Sequence, residues 1–383
     1  MRDSMIPYGH QDISEDDIQE VINVLRSEWL TQGPMVERFE RAVAAYCGAR
    51  YAVAVSSGTA ALHIAALAAG FGIGDEVITS PITFAASANC IAYTGARPVF
   101  ADIDDTTCCI DVAEVKKRLS KKTKGIIPVH FAGHPCDIVK IAEVAREHGL
   151  IVIEDAAHAL GASYEEHGVW YKVGSCAHSD MTIFSFHPVK HITTGEGGMI
   201  TTNNVELYRK LLLLRSHGIT KEPQQMHCDD GSWYYEQQYL GFNYRITDIQ
   251  CALGLSQLKR LDEFLYKRRN ISNIYNQAFT KAAIRLPKHG GNSSWHLYVI
   301  RCDGTKRKYI FDVLRNKGIG VNVHYIPVYT HPYYQRSFGY QRGDFPIAEA
   351  YYQEAISLPL YPTLSDTQLN QIISSVIETV GED

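Results

Sequence analysis

Short apolar runs alternate with helical repeats along the first half of the chain. Residues such as 59–69 and Ile138–His148 repeat apolar positions at helical spacing, and Ser14 with Asp17 forms a helix start signal. Strands that are apolar on both faces and separated by helices predict a mainly parallel sheet covered by helices on both sides, which is an α/β fold. Five runs predict such strands: Tyr51–Val55, Glu76–Thr79, 98–102, 125–130 and 150–155.

Two further runs, 181–186 and Gly198–Thr202, flank one loop closely enough to predict two strands that either pair antiparallel or lie near one another. The polar segment 220–238 predicts a long surface loop without regular structure. After about Thr247 the pattern changes, and we predict a large domain over residues 1–247 and a smaller α+β domain over residues 248–383. The second half predicts helices at 248–264, 267–279 and Asp366–Val380, and strands at 296–301 and 320–324.

Composition narrows the function classes. Hydrophobic residues make up 45% of the 383 positions and charged residues 21%, which is an ordinary globular balance. The formal net charge is −5 without a basic block, which argues against nucleic acid as the main partner. No long uncharged apolar stretch predicts a membrane span or a signal peptide. Nine cysteines without a C-x-x-C spacing indicate a reduced, cytoplasmic protein without a metal site.

The stretch VSSGTAAL (residues 55–62) places small polar residues between a predicted strand and a predicted helix. Free backbone N–H groups and the helix dipole make such a turn suitable for a phosphate. Gly58 would allow close approach, and the Thr59 hydroxyl could donate a hydrogen bond. A plain helix cap is the alternative interpretation of the same residues.

Two other stretches follow predicted strands. In IVIEDAAHALGA (residues 151–162), Asp155 ends an apolar strand, where a buried carboxylate needs a partner such as a protonated ring nitrogen. His158 could hold that aspartate or contact the same ligand, and the alternative is an aspartate that caps the next helix. In SPITFAASAN (residues 80–89), Phe84 could lie over a planar ring or be a core aromatic.

The fourth stretch, FSFHPVKHITTGEGG (residues 184–198), offers Ser185 as a second phosphate contact and Lys190 as an amine. A loop lysine is most often only a solvated charge. Here it follows a phosphate turn, an aromatic ring and a strand-end aspartate along the chain. Together these suit pyridoxal 5′-phosphate, whose aldehyde condenses with lysine and whose ring nitrogen is kept protonated by a carboxylate.

Taken together, VSSGTAAL, EDAAH, FSFHPVK with GEGG, and GFNYR resemble the DegT/DnrJ/EryC1/StrS aminotransferases over nearly the whole chain. The resemblance implies a fold-type I pyridoxal-phosphate enzyme that acts on nucleotide-linked keto-sugars. Four further stretches, SEWLTQGPMVERFE, SHGIT, VHYIPVY and AISLPLYP, resemble the members that serve pseudaminic acid biosynthesis. In that group, L-glutamate gives its amino group to C4 of a UDP-linked 4-keto-6-deoxy sugar.

The resemblance also implies roles for individual residues. Lys190 would bind the cofactor covalently and act as the base, Asp155 would hold the ring nitrogen and Phe84 would stack on the ring. Asn243 would reach the phosphate in the neighbouring subunit, which implies a homodimer with shared sites. The other cofactor contacts would be His158, Gly58, Thr59 and Ser185, and the substrate contacts would be Arg245, His324, Tyr325 and Thr31 in the loop 29–33.

Three alternatives stay open. Related sugar dehydratases carry histidine in place of the lysine, so Lys190 disfavours that reaction. A regulator that keeps the fold only for binding is disfavoured by the full set of cofactor residues. Other UDP-4-keto sugars, of the 4-keto-arabinose or bacillosamine type, compete directly with the pseudaminic substrate. His191, which follows the lysine where many relatives have proline or asparagine, could change the pKa of Lys190.

Overall fold

A seven-stranded sheet forms the centre of the large part of the chain. The structure, a computed structural model, describes residues 5–381 except 229, 289 and 291. The strand order of the seven-stranded sheet is β1-β9-β8-β5-β4-β2-β3. These strands are β1 (Tyr51–Val55), β2 (Glu76–Thr79), β3 (Arg97–Phe100), β4 (Thr123–Ile127), β5 (Ile151–Asp155), β8 (Met181–Ser185) and β9 (Gly198–Thr202), with a separate hairpin of β6 (Ser163–Glu166) and β7 (Val169–Lys172) between β5 and β8.

The strand directions confirm the predicted mainly parallel sheet. Strands β8, β5, β4, β2 and β3 pair in parallel, and β9 runs antiparallel between β8 and β1. Of the two alternatives predicted for the strands around the lysine loop, antiparallel pairing is the one observed. One rung of this pair joins Ser185 to Gly198, so the loop that carries Lys190 begins and ends at hydrogen-bonded neighbours.

Helices cover both faces of the sheet, because successive residues of each strand enter different cores. In β1, Val53 and Val55 pack in the core that holds helix α3, whereas Ala52 and Ala54 pack in the core that holds α2. The helices are α1 (Glu15–Leu25), α2 (Pro34–Cys47), α3 (Gly58–Ala68), α4 (Ala86–Tyr93), α5 (Val112–Arg118), α6 (Ile138–His148), α7 (Val205–Arg215), α8 (Asp248–Lys259), α9 (Leu261–Ala278), α10 (Arg307–Asn316), α11 (Pro332–Phe338), α12 (Pro346–Glu354) and α13 (Asp366–Val380).

The chain after α9 builds a third core around two antiparallel strands, β12 (Tyr298–Arg301) and β13 (Ala355–Leu358). Helices α9, α10 and α13 contribute apolar side chains to it, and so does Ile6 from the start of the chain. The predicted boundary near residue 247 stays a prediction. The terminal helix α13 has the predicted bounds, and Ser365 caps it by accepting a hydrogen bond from the amide of Gln368.

Two predicted elements of the second half were wrong. The predicted helix 248–264 ends earlier, because Arg260 leaves helical geometry and ion-pairs with Asp12 and Asp17. The segment 320–324 forms no strand; of its residues, Asn322 makes a single bridge to Ser357. Both outcomes depend on contacts with distant parts of the chain.

The predicted loop 220–238 was wrong in one respect, since its two ends have regular structure: two short strands, β10 (Ile219–Thr220) and β11 (Glu236–Gln237), pair antiparallel there. All nine cysteines are free thiols, and only Cys228, in this segment, is exposed. No helix among the described residues is long and apolar enough to cross a bilayer. In the same part of the chain, no cluster of histidine, cysteine and acidic side chains suits a metal ion.

Candidate active site

A cavity of about 500 Å³ opens at the carboxyl ends of β1, β5 and β8. Ligands bind at this edge of parallel sheets, because the turns there present backbone amides and strand-end side chains together. The structure brings nine of the predicted residues to its walls: Gly58, Thr59, Phe84, Asp155, His158, Ser185, Lys190, His324 and Tyr325.

One end of the cavity is shaped for an anion. Ser57 caps α3 by accepting a hydrogen bond from the amide of Ala60 at 3.1 Å. Gly58 and Thr59 are the first two residues of that helix, where amides have no acceptor within the helix. A Cβ on Gly58 would lie 2.9 Å from Cβ of Ser185, so the close approach of the two segments requires glycine. The free amides at the start of α3, together with the hydroxyls of Thr59 and Ser185, fit a phosphate.

Asp155 is the buried anion of the cavity. Its Oδ2 accepts a hydrogen bond from Oγ of Ser87 at 2.5 Å, and its Oδ1 accepts one from the amide of Ala157 at 3.1 Å. Asp155 is only 5% exposed. Even so, no ion pair involves its carboxylate within the described residues. A buried carboxylate without an ion-pair partner is costly, so a cationic ring nitrogen fits this position.

His158 lines the same cavity as this carboxylate and is held in one orientation. Its Nδ1 accepts a hydrogen bond from the amide of Ala132 at 3.3 Å, and its Nε2 lies 3.0 Å from the hydroxyl of Tyr325. Burial lowers the pKa of His158 well below its usual value, and the nearby Lys190 lowers it further. The ring is therefore neutral, with its proton on Nε2.

Lys190 extends its amine into the cavity from the loop between β8 and β9. Burial lowers the pKa of Lys190 to about 8, with Arg268 acting in the same direction and Asp155 opposing it. Nζ lies 3.4 Å from Nε2 of His296. Since an amine must be neutral to act as a nucleophile or a base, this lowered pKa suits Lys190 for both roles.

Three aromatic side chains form the opposite wall. Phe84 is 61% exposed, which rules out the alternative of a core aromatic. Its ring centroid lies 6.3 Å from that of Tyr325. Nδ1 of His324 lies 2.7 Å from Oγ of Ser357, and burial lowers the pKa of His324 to about 3. A neutral, aromatic wall of this kind can contact a planar ring or a sugar.

Three predicted residues lie away from this cavity. Asn243 and Thr31 are exposed, and Arg245 lines a different cavity of about 270 Å³ together with Arg215 and Glu40. The segment around Asn243 stays close to the phosphate end, since the amide of Ser56 donates to the carbonyl of Tyr244 at 2.8 Å. The predicted contact of Asn243 with the phosphate of the neighbouring subunit stays a prediction. The predicted substrate contacts of Arg245 and Thr31 also stay predictions, since neither side chain lines this cavity of its own chain.

The sequence analysis missed Ser87, Thr83 and His296. Ser87 and Thr83 share a hydrogen bond of 2.6 Å and connect α4 to the carboxylate of Asp155. Both lie in the stretch that gave Phe84, so their proximity to that residue was an available signal. His296 lies beyond α9 and reaches Lys190 only through the fold, and no pattern in the sequence indicates this contact.

A second cavity, of about 530 Å³, lies on the other side of Phe131 and Ala132. Its arginines are already neutralised: Arg285 and Arg301 both pair with Asp105 and Glu354. The amine and the thiol that line it are less suited to catalysis than Lys190, since Lys288 is exposed and burial raises the pKa of Cys108. We therefore assign the chemistry to the cavity at the strand ends.

The residues of that cavity fit pyridoxal 5′-phosphate. The anion-binding end at Gly58 and Ser185, the unpaired carboxylate of Asp155 and the amine of Lys190 provide for its phosphate, its ring nitrogen and its aldehyde, respectively. Phe84 is exposed at the cavity wall, where a flat ring can pack against it.

Comparisons with known proteins point the same way. Residues 11–377 match the DegT/DnrJ/EryC1/StrS aminotransferase family. The spore coat polysaccharide biosynthesis protein SpsC of Bacillus subtilis is 44% identical over 387 residues, covering 99% of this chain and 98% of that protein.

Two solved structures share the fold over nearly their whole length. Helicobacter pylori PseC, an aminotransferase involved in the biosynthesis of pseudoaminic acid, has a TM-score of 0.90 at 33% identity, covering 98% of this chain and 99% of its own. Spr1654 of Streptococcus pneumoniae, solved in PLP and PMP forms, has a TM-score of 0.91 at 33% identity, covering 98% of both chains.

Proposed function

The chain belongs to the DegT/DnrJ/EryC1/StrS aminotransferase family, and on that premise we propose that it makes UDP-4-amino-4,6-dideoxy-N-acetyl-β-L-altrosamine. It is a pyridoxal-phosphate-dependent sugar aminotransferase with the fold-type I architecture. The proposed reaction transfers the amino group of L-glutamate to C4 of UDP-2-acetamido-2,6-dideoxy-4-keto-L-arabino-hexose. The likeness to PseC and the stretch VHYIPVY at the cavity wall support this substrate.

One observation carries the proposed chemistry: the amine of Lys190 and the unpaired carboxylate of Asp155 face one cavity. When bound, the cofactor supplies an electron sink for the electron pair left at the α-carbon of the amino donor. Nζ of Lys190 takes up the α-proton from that carbon and later gives a proton back. With a pKa of about 8, this amine exchanges a proton near neutral pH at little cost.

The remaining residues bind and orient. Gly58, Thr59 and Ser185 would hold the phosphate, and Asp155, fixed by Ser87, would keep a proton on the ring nitrogen. Phe84 would cover one ring face. The buried side chains of His158 and His324 would exclude water from the inner wall without introducing a charge, because burial keeps both rings neutral. His324 and Tyr325 are also the proposed substrate contacts.

We further propose a cytoplasmic homodimer in which Asn243, Arg245 and Thr31 complete the cavity of the partner copy. The exposure of Asn243 and Thr31, away from their own cavity, supports this arrangement. Nine free thiols support a reducing compartment.

Mixed dimers test the shared site. Co-expression of Lys190→Ala chains with Asn243→Ala chains should restore turnover, because one of the two sites in a mixed dimer receives both native residues. Each variant alone serves as the control. Mixtures no more active than the separate variants, in dimers verified by sedimentation, would show that the site lies within one chain.

A second candidate is a different UDP-linked keto-sugar, of the 4-keto-arabinose or bacillosamine type. The 44% identity to SpsC, a protein named for spore coat polysaccharide biosynthesis, supports a sugar precursor of a polysaccharide as this second candidate. Both candidates use the same cavity and cofactor, so the active-site lysine does not discriminate between them.

A substrate panel discriminates the two candidates. The enzyme is incubated with ¹⁵N-labelled glutamate and each UDP-keto-sugar in turn, and mass spectrometry detects the labelled amino-sugar. We expect the highest kcat/KM for the pseudaminic-pathway ketone. A higher value for another ketone would replace the substrate while keeping the enzyme class, and NMR coupling constants of the product would assign the configuration at C4.

A further inference from the structure

The side chain of Lys190 has one hydrogen-bond neighbour in the described part of the chain. Its Nζ lies 3.4 Å from Nε2 of His296, a residue just before β12. The ring of His296 is 4% exposed, so this contact is closed to bulk solvent. Nothing in the proposed reaction so far gives this histidine a task.

The fold fixes the position of the His296 ring. Its backbone amide donates to the carbonyl of Ala132 at 2.9 Å, and its carbonyl accepts a hydrogen bond from Arg268 at 3.4 Å. The ring packs against that of His158 at 4.3 Å between centroids, and against that of His191 at 5.6 Å. Because its backbone and the two neighbouring rings hold it in place, the His296 ring keeps Nε2 directed at Lys190.

The surroundings keep this ring neutral. Burial lowers the pKa of His296 well below its usual value, and Lys190 lowers it further. Nδ1 of His296 is buried and has no hydrogen-bond partner among the described side chains and backbone. A neutral imidazole carries one N–H and one lone pair, so His296 can accept one hydrogen bond at Nε2 in the tautomer that has its proton on Nδ1. The titratable or charged groups that face Lys190 and His296 are Asp155, His158, His191, Arg268 and His324.

We propose that His296 is a positioning residue for Lys190, accepting at Nε2 a hydrogen bond from the ammonium group that Lys190 becomes when it takes the α-proton of the amino donor. The inference rests on the proposed role of Lys190. In this step the bond between the α-carbon and its hydrogen breaks and a bond between Nζ and that hydrogen forms. The proton stays on Nζ, and the imidazole of His296 remains neutral.

The chemistry of the acceptor explains why a neutral ring suits this place. A carboxylate in the position of Nε2 would raise the pKa of the amine and hold its proton too tightly for return. An apolar side chain would leave a buried ammonium hydrogen without an acceptor. His296 accepts a hydrogen bond from that ammonium group without adding a charge. The positive charge of Arg268 lowers the pKa of the amine at the same time.

Two variants separate this role from packing. His296→Leu removes the acceptor, and His296→Gln keeps an amide oxygen near the position of Nε2. In the cofactor-free full-length protein, the rate of Lys190 acetylation by acetic anhydride is measured against pH by mass spectrometry. We expect the wild-type amine to titrate near pH 8. The His296→Leu amine should titrate about 1 unit lower, because its ammonium form has lost a hydrogen bond, and the His296→Gln amine close to wild type.

The holoenzyme provides the second readout. In single turnovers with glutamate, His296→Leu should slow the half-reaction about tenfold and increase the isotope effect of α-deuterated glutamate, with glutamate affinity unchanged. His296→Gln should recover most of the rate. A purely structural role would change thermal stability or cofactor occupancy but would leave the isotope effect and the pKa of Lys190 at wild-type values.

The outcomes are distinguishable. Unchanged acetylation and isotope effect in a folded His296→Leu protein would overturn the role of His296 while leaving the aminotransferase intact, and so would a His296→Gln variant as impaired as His296→Leu. If the leucine variant does not fold, His296→Asn, whose amide is too short to reach Nζ, is measured in the same way with the same expectations. Borohydride labelling of the wild type at a lysine other than Lys190 would instead reject the proposed function itself.

Discussion

The two faces of strand β5 carry adjacent carboxylates with opposite environments. Glu154 points to one side, where its carboxylate accepts hydrogen bonds from His130 at 2.7 Å, Ser179 at 2.5 Å and Thr182 at 2.7 Å. Asp155 points to the cofactor cavity, where Ser87 and one backbone amide are its hydrogen-bond donors among the described residues. Both side chains are buried, so their difference lies in their partners.

The comparison shows how a buried charge can be reserved for a ligand. Glu154 is satisfied by its own chain and therefore stabilises the fold, since hydrogen bonds lower its pKa despite the opposing effect of burial. Asp155 forms no ion pair within the described residues and interacts with Lys190 only at longer range, so a protonated cofactor ring would supply a direct partner. Adjacent residues of one strand thus separate stability from function simply because their side chains alternate between faces.

The largest effect on turnover is expected from the amine on the cavity side. Lys190→Ala should lower turnover at least about 10³-fold, because it removes both the covalent attachment and the proton acceptor. Single-turnover kinetics measure the loss. Borohydride reduction followed by peptide mapping should label Lys190 in the wild type and no lysine in the variant; labelling of another lysine would show that the cavity was assigned wrongly.

Asp155→Asn is the direct test of the functional face. An amide cannot stabilise a protonated ring nitrogen by charge, so we expect turnover to fall about 100-fold, with a changed cofactor absorption spectrum. Thermal stability without cofactor should stay equal or rise, since an unpaired buried charge is removed. A variant that retains wild-type turnover would contradict the proposed role of Asp155.

Ser87→Ala extends the comparison of Glu154 and Asp155 by removing the side-chain hydrogen-bond donor of Asp155. The carboxylate loses one of its two donors and with it a fixed orientation, so cofactor affinity should weaken about tenfold. Fluorescence titration of the cofactor-free protein measures the dissociation constant. Ser87→Thr keeps the hydroxyl and should bind nearly as the wild type; equal weakening in both variants would point to packing in α4 instead.

Glu154→Gln should affect turnover least, by less than about twofold, and stability most visibly. Its amide cannot accept from all three donors, which should cost about 1–3 kcal/mol of unfolding free energy at neutral pH. Because hydrogen bonds hold the pKa of Glu154 below 4.5, this contribution persists above that pH and is lost as the pH falls further. Urea unfolding at several pH values should therefore show the two proteins converging in acid.

Local pattern was sufficient for the sheet and for most of the cavity. The apolar run Gly198–Thr202 was predicted with its observed bounds. Asp155 and Ser185 end strands and Gly58 lies just after one, and the carboxyl ends of these strands meet at one edge. Spacing alone could place these residues, because each lies within a few positions of its own strand end.

Contacts between distant segments could not be predicted in the same way. The helix break at Arg260 depends on ion pairs with Asp12 and Asp17, more than 240 residues away in sequence. The approach of His296 to Lys190 depends on the path of the chain after α9, and its local pattern is that of a strand start. Tertiary contacts determine the helix break and the contact between His296 and Lys190, and the periodicity of apolar residues does not predict tertiary contacts.

The single exposed thiol has a practical consequence. Eight of the nine cysteines are buried, and burial raises the pKa of thiols such as Cys90 and Cys176, which slows their alkylation. A maleimide fluorophore should therefore attach at Cys228 without mutagenesis. With a donor dye on one copy of the chain and an acceptor dye on another, the efficiency of energy transfer would report the distance between the two Cys228 positions. It would follow assembly in real time at nanomolar concentration.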